Sequence, residues 1–152
     1  MITKIVSGGQ TGVDRAALDV AMRLGIPVGG WCPRGRRAED GRIPDSYPLH
    51  EASSINYAKR TELNVRDSDG TLILSGGPLT GGTALTESLA RRRGKPVFVV
   101  DLRDNPAPDV TDEWLVANSI QTLNVAGPRE SQQPGIYEKV TDFLARFVSR
   151  QL

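Results

Sequence analysis

The feature that most constrains this chain is a junction that occurs twice. Ile5-Val6-Ser7-Gly8-Gly9-Gln10-Thr11-Gly12 and Ile73-Leu74-Ser75-Gly76-Gly77-Pro78-Leu79-Thr80-Gly81-Gly82 each pass from an apolar strand through Ser-Gly-Gly and a spacer to Thr-Gly and a helix. Strand, glycine turn and helix in that order make the unit of a parallel sheet, whose crossovers need helices. The rest of the chain alternates in the same way. Strands are expected at Ile2–Ser7, Val28–Trp31, Gly70–Leu74, Val97–Val100 and Gln121–Val125. The unbroken apolar run Val97–Val100 reads as a strand covered on both faces. Helices are expected at Val13–Leu24 (stopped by Gly25 and Pro27), Ile55–Val65, Thr83–Arg93 and Thr111–Asn118, with a last one from about Pro134. That last helix carries the strongest amphipathic stripe, Ile136, Val140, Phe143, Leu144, Phe147 and Val148. The expected fold is an open, doubly wound, mostly parallel α/β sheet flanked by helices, one ligand-binding domain over residues 1–152.

At 152 residues a domain buries about 68–70% of its unfolded surface and needs no disulfide or metal staple. One cysteine, Cys32, and one histidine, His50, exclude an internal disulfide framework and a His/Cys metal cage. Basic and acidic residues number 19 and 18, which argues against a strongly basic nucleic-acid binder. Arg outnumbers Lys by fifteen to four; this suits an anionic ligand, or equally reflects codon composition. The N-terminus enters a strand pattern without an apolar leader, and no apolar run approaches the ~20 residues that span a bilayer. The expectation is a soluble, cytoplasmic protein.

In a parallel sheet the carboxyl ends of the strands share one edge, and ligands bind there. Gly8, Gly9, Gly12, Gly76, Gly81 and Gly82 permit close approach, Gln10, Thr11 and Thr83 add polar groups, and the helices that follow offer free amides to a phosphate. Tight packing alone also explains a single such turn, but two on one edge point to a ligand. No Gly-Lys-Ser/Thr follows either loop, and the first lacks G-x-G-x-x-G spacing, so neither standard nucleotide fingerprint is present. A third wall is expected from Asn124-Val125-Ala126-Gly127-Pro128-Arg129-Glu130-Ser131. There Arg129 either clamps an anion, with Ser131 as helix N-cap, or pairs with Glu130 at a plain turn.

The irregular segment Trp31–Leu49 is long for a compact domain, which suggests function. Within it Arg34, Arg36 and Arg37 crowd together and call for an anionic partner, either a ligand or the neighbouring Glu39 and Asp40. Cys32 reads as a small buried residue. Asp14, Asp67 and Asp69 read as caps or turn residues, and Arg91-Arg92-Arg93 as a solvated helix end.

Several stretches together resemble the molybdenum-carrier family, the molybdenum cofactor carrier proteins and their bacterial relatives. They are Ser7-Gly8-Gly9-Gln10-Thr11-Gly12-Val13-Asp14-Arg15, Gly30-Trp31-Cys32-Pro33-Arg34-Gly35-Arg36-Arg37-Ala38-Glu39-Asp40-Gly41, the segment Arg60 to Asp69, Gly81-Gly82-Thr83, and Leu123 to Ser131. The resemblance implies a Rossmann-like subunit, assembled as a homo-oligomer (a tetramer in better-known members), that binds molybdenum cofactor and passes it to molybdoenzymes. That cofactor holds its metal through its own dithiolene and ends in a phosphate, so it asks the protein for phosphate and pterin contacts rather than metal ligands.

The wider group includes phosphoribohydrolases with Pro-Gly-Gly-x-Gly-Thr-x-x-Glu, whose Glu acts in N-glycosidic cleavage. Here Thr86 stands at that position, and Glu87 follows one residue, or ~100° of helix, later. Binding is therefore expected over hydrolysis. The alternatives are a nucleoside-monophosphate hydrolase using Glu87 or Asp14, and a non-catalytic sensor of a nucleotide-derived ligand.

Overall fold

The computed structural model describes residues 1–152. Its central sheet is built from β1 (Lys4–Val6), β2 (Val28–Gly29), β7 (Gly70–Ser75), β8 (Val97–Asp101) and β9 (Thr122–Ala126). The strands lie in the order β2-β1-β9-β7-β8, and every neighbouring pair is parallel. The last strand of the chain thus occupies the centre. Counted from β9 as the first strand, the order is 3-2-1-4-5, that of a Rossmann sheet whose first strand has been moved to the end of the chain. Asp69, just before β7, helps to place it: its carboxylate accepts the Gln121 and Thr122 amides at 3.0 and 2.8 Å.

Helices α1 (Val13–Arg23), α4 (Asp109–Ala117) and α5 (Ile136–Ser149) cover one face, and α2 (Tyr57–Arg66) and α3 (Gly81–Arg92) cover the other. The α5 stripe is fully used, with Ile136, Val140, Phe143, Leu144, Phe147 and Val148 all buried against α1 and the sheet. Burying each of the larger side chains contributes roughly 1.5–3 kcal/mol before entropy is counted. No helix is long and apolar enough to cross a membrane.

Two strand expectations need correction. Val97–Val100 lies within an edge strand, not one covered on both faces, and Val99 is exposed. An apolar run cannot distinguish a central strand from an edge strand partly shielded by loops. The expected strand Val28–Trp31 is broken at Gly30, whose φ is 122° and whose position leaves no room for a Cβ against the Ser7 carbonyl. Beyond that break β3 (Trp31–Cys32) pairs with β6 (His50–Glu51), away from the main sheet.

Between those strands, β4 (Arg37–Ala38) and β5 (Gly41–Arg42) form a hairpin. The segment packs down on the domain, with Cys32, Ile43 and Leu49 buried against Leu18. Its organiser is Arg36, which has φ 54° and a buried side chain. The guanidinium donates to the carbonyls of Ile43 (3.0 Å), Pro44 (2.7 Å), Tyr47 (2.8 Å) and Leu49 (3.3 Å).

Candidate functional site

All five main strands end on one edge, where the loops after β1, β7 and β9 emerge together. The order of a doubly wound sheet reverses between β9 and β7, and ligands bind in the crevice at such a point. A cavity of about 220 Å³ lies there, and its walls include Gln10, Asp14, Arg60, Thr83, Thr86 and Arg129. A second, much smaller cavity shares Asp14, Arg60 and Thr86 with it and is lined also by Gly8, Asn64 and Asn124.

The two glycine junctions prove unequal. At the first, Gly12 (φ 77°) is the residue before α1, and a Cβ there would lie 2.5 Å from the Pro128 carbonyl. That carbonyl accepts the Val13 amide at 3.3 Å, and the Asp14 carboxylate accepts the Gln10 amide at 3.3 Å. The start of α1 is therefore closed by the protein itself. At the second, the side chain of Thr80 makes no capping bond to α3, and a Cβ at Gly82 would meet nothing within 4 Å. Gly81 and Gly82 thus present first-turn amides, and the positive end of the helix dipole, to open space.

Two arginines line the same cavity as that helix end. Arg129 lines the cavity half-exposed; its Nε has no hydrogen-bond partner and lies 3.4 Å from Glu39. Arg60, from α2, reaches under the first glycine loop and donates to Asp14 at 3.0 Å. A Cβ on Gly8 would fall 1.6 Å from Arg60 Nη1, so that glycine makes the space for the guanidinium. Arg60 Nε is likewise buried without a partner. Asp14 is 3% exposed, and burial pushes its carboxyl up although Arg60 pulls it down.

Glu39, at the tip of the β4–β5 hairpin, ties the walls together. Its carboxylate accepts the Ser131 hydroxyl at 2.5 Å, the Ser131 amide at 3.1 Å and the Thr11 hydroxyl. Those hydroxyls hold its pKa below the usual carboxylate range. Gln10 Oε1 accepts the Glu39 amide at 2.8 Å. Ser131 is not the N-cap of α5, which is Gly135; the Glu130 carboxylate instead accepts the Gly135 and Tyr137 amides at 2.6 and 3.0 Å. The carboxylate that Arg129 pairs with is Glu39, not Glu130.

The remaining candidates fall outside the cavity. The Gly76 and Gly77 amides are taken by Gln133 (2.9 Å) and Asp101 (3.3 Å). Gly9 packs beneath Leu49 and Ile43, Thr11 and Gly12 face a separate cavity beside Tyr47 and Tyr137, and Arg34 is exposed on the long loop. Arg36 is turned away into its carbonyl nest, because a left-handed backbone at that position aims the side chain inward. Glu87 lies on the outer side of α3, 3.0 Å from Arg91, while Thr86 takes the inward position and donates to the Gly82 carbonyl at 2.9 Å. Arg60 is the residue sequence reasoning missed. Its partner Asp14 is 46 residues away, and no local pattern pairs the two.

No group of three or more His, Cys, Asp or Glu is placed to hold a metal ion. Fold and site together define a Rossmann-like α/β protein with an arginine-lined cavity at the switch point of its sheet. The chain belongs to the circularly permutated YpsA SLOG family, whose model matches residues 5–148. The strand order, with β9 at the centre of the sheet, is compatible with a permuted Rossmann-like chain. A crystal structure of a protein from Syntrophus aciditrophicus SB, named putative molybdenum carrier protein, is 52% identical to it, covering 97% of this chain and 95% of its own, with a TM-score of 0.93. No curated protein matches the chain.

Proposed function

We propose that this protein binds molybdenum cofactor by its phosphate in the cavity between α2, α3 and the loop after β9, and carries it to molybdoenzymes. The observation that supports this reading is the convergence of Arg60, Arg129 and the uncapped start of α3 on one cavity. Amides at a helix start and guanidinium forks are strong phosphate donors. At about 220 Å³ the cavity is smaller than the ~300–1,000 Å³ pockets that enclose drug-sized ligands, so it is matched to one end of the molecule. Tyr57, exposed and lining the cavity, offers an aromatic face to a planar ring system. The cofactor's own dithiolene holds its metal, so the donor set of arginines, amides and hydroxyls suits it. The name of the Syntrophus protein points the same way. A cytoplasmic location and assembly as a homo-oligomer belong to the same proposal.

The test is co-retention. Protein incubated anaerobically with molybdenum cofactor is desalted, and pterin in the protein fraction is read by its oxidised fluorescence, with and without excess AMP. Near-stoichiometric pterin that AMP does not displace, lost in Arg129→Ala, is the expected result. An empty protein fraction refutes the carrier reading.

A second reading, hydrolysis of a nucleoside monophosphate, is favoured by one observation. Asp14, a buried carboxyl of raised pKa, lines the cavity and is placed to act as acid or base. Release of free base from AMP that Asp14→Asn abolishes and Glu87→Gln does not would establish it.

A further inference from the structure

The anion site contains a carboxylate where an anion is least welcome. Asp14 lines the same cavity as Arg129 and Gly82, and its Oδ2 sits 3.0 Å from Arg60 Nη1. While Asp14 is ionised, Arg60 is neutralised before any ligand arrives, and an entering dianion meets a buried like charge. Two like charges in one poorly solvated site do not both stay ionised when one of them can take a proton. We propose that this cavity takes up one proton with its anion, at the Asp14 carboxyl, so that ligand capture is coupled to protonation and strengthens as the pH falls. The proposal rests on the reading of the cavity as a phosphate site.

The surroundings single out Asp14 as the acceptor. From α1 it is faced by Arg15, whose guanidinium is committed to the Gly9 carbonyl (3.1 and 3.0 Å) and to Asp40. From α2 it is faced by Arg60, from the first loop by the uncharged Gln10, and from the loop after β9 by Arg129 across the cavity. α3 contributes Thr83 and Thr86 but no ionisable group, since Glu87 is paired with Arg91 outside. Glu39, the other nearby carboxylate, is held ionised by the Thr11 and Ser131 hydroxyls and does not line the cavity. Protonation of Asp14 removes the competing charge and leaves Arg60 to the ligand. Burial of Asp14, which already favours its neutral form, works in the same direction.

The probe is inorganic sulfate, which stays fully ionised and adds no titration of its own. Sulfate is titrated at constant ionic strength between about pH 5.5 and 8, with affinity read from the Gly81 and Gly82 amide resonances and protonation from the Asp14 carboxyl ¹³C resonance. Uptake of one proton makes affinity fall by up to about tenfold per pH unit across the window between the free and bound titration points. In the unaltered protein, saturating sulfate moves the Asp14 carboxyl signal toward its protonated position. Asp14→Asn flattens the pH slope, and Glu39→Gln leaves it in place. Sulfate that binds without a pH slope, or without moving the Asp14 signal, overturns the proposal and leaves the anion site standing. A slope that survives in Asp14→Asn overturns it equally. Gly81 and Gly82 resonances that ignore sulfate at every pH overturn the phosphate-site reading and the coupling together.

Discussion

Replacing Gly8 by alanine tests the most crowded contact beneath the site. Gly8 does not have a left-handed φ, so the new backbone is unstrained and the whole effect comes from the methyl group. The added Cβ would stand 1.6 Å from Arg60 Nη1, 2.4 Å from Cζ and 2.9 Å from Cδ, so the end of the side chain must leave as a unit. Its departure breaks the 3.0 Å bond to Asp14, which is 3% exposed. Stranding one partner of a buried pair costs about 3–5 kcal/mol. Asp14 can limit that cost by taking a proton, and we expect a loss of about 3 kcal/mol near neutral pH. With a urea m-value of about 2 kcal/mol/M the midpoint falls by about 1.5 M. The pH dependence has a definite sign. Losing Arg60 raises the folded-state pKa of Asp14 further above its unfolded value. A group so raised contributes stability below the unfolded pKa and loses it as the pH rises through the folded one, so the deficit shrinks by up to about 1.4 kcal/mol per pH unit toward acid. Urea unfolding at several pH values measures both quantities. A midpoint shift below about 0.3 M near neutrality, or a deficit that ignores pH, would show that Arg60 is not held where the geometry has it.

Gly82→Ala should separate stability from binding: nothing lies within 4 Å of its Cβ, so unfolding should show a change between zero and a gain of about 1 kcal/mol, while sulfate affinity falls. Thr86→Glu puts a carboxylate into the cavity and should weaken sulfate binding at least tenfold by titration, whereas Glu87→Gln, which loses only an exposed pair with Arg91, should change affinity and stability by less than about 0.5 kcal/mol. Arg36→Met should cost about 3 kcal/mol in urea unfolding, because it strands the carbonyls of Ile43, Pro44, Tyr47 and Leu49. Tyr137, half-buried and donating to Asp19, has its phenol pushed up to about 12. Because that pKa is raised on folding, its contribution is complete below the unfolded value and is lost as the pH climbs through about 12, which ultraviolet absorbance should follow as late ionisation.

Most elements could be read from the sequence because each has its own local signal. The α5 stripe is unambiguous at helical spacing, and the end of α1 is marked by Gly25 and Pro27. Neighbour relations carry no such signal. Nothing within Thr122–Ala126 says that it lies between β1 and β7, since a run covered on both faces looks alike wherever it pairs. The same limit governs the site. Gly82, Thr83 and Arg129 could be picked out because glycine turns, helix starts and an arginine after a strand are local features. Arg60 sits in a polar helix without a distinguishing neighbour, and its role exists only because Gly8 leaves it space. Arg36 shows the reverse case. Three arginines in a row of loop residues suggest an anion, yet the 54° φ at Arg36 directs one of them to backbone carbonyls, which attract a cation as well as a ligand does.

The central position of β9 also governs how the molecule is made. Synthesis delivers β1 with β2, and β7 with β8, as two separate ribbons, each with an unpaired inner border. The two ribbons do not pair with each other; each pairs across its inner border with Thr122–Ala126. Until that short segment clears the ribosome, the nascent chain carries two sticky strand borders at once, the kind of surface that invites mispairing and chaperone attention. The final thirty or so residues close the sheet and bring the loop bearing Arg129 to the other two, so the cavity is completed in the same step as the fold. A chain cut short before β9 would lose the seam between its halves and the cavity together.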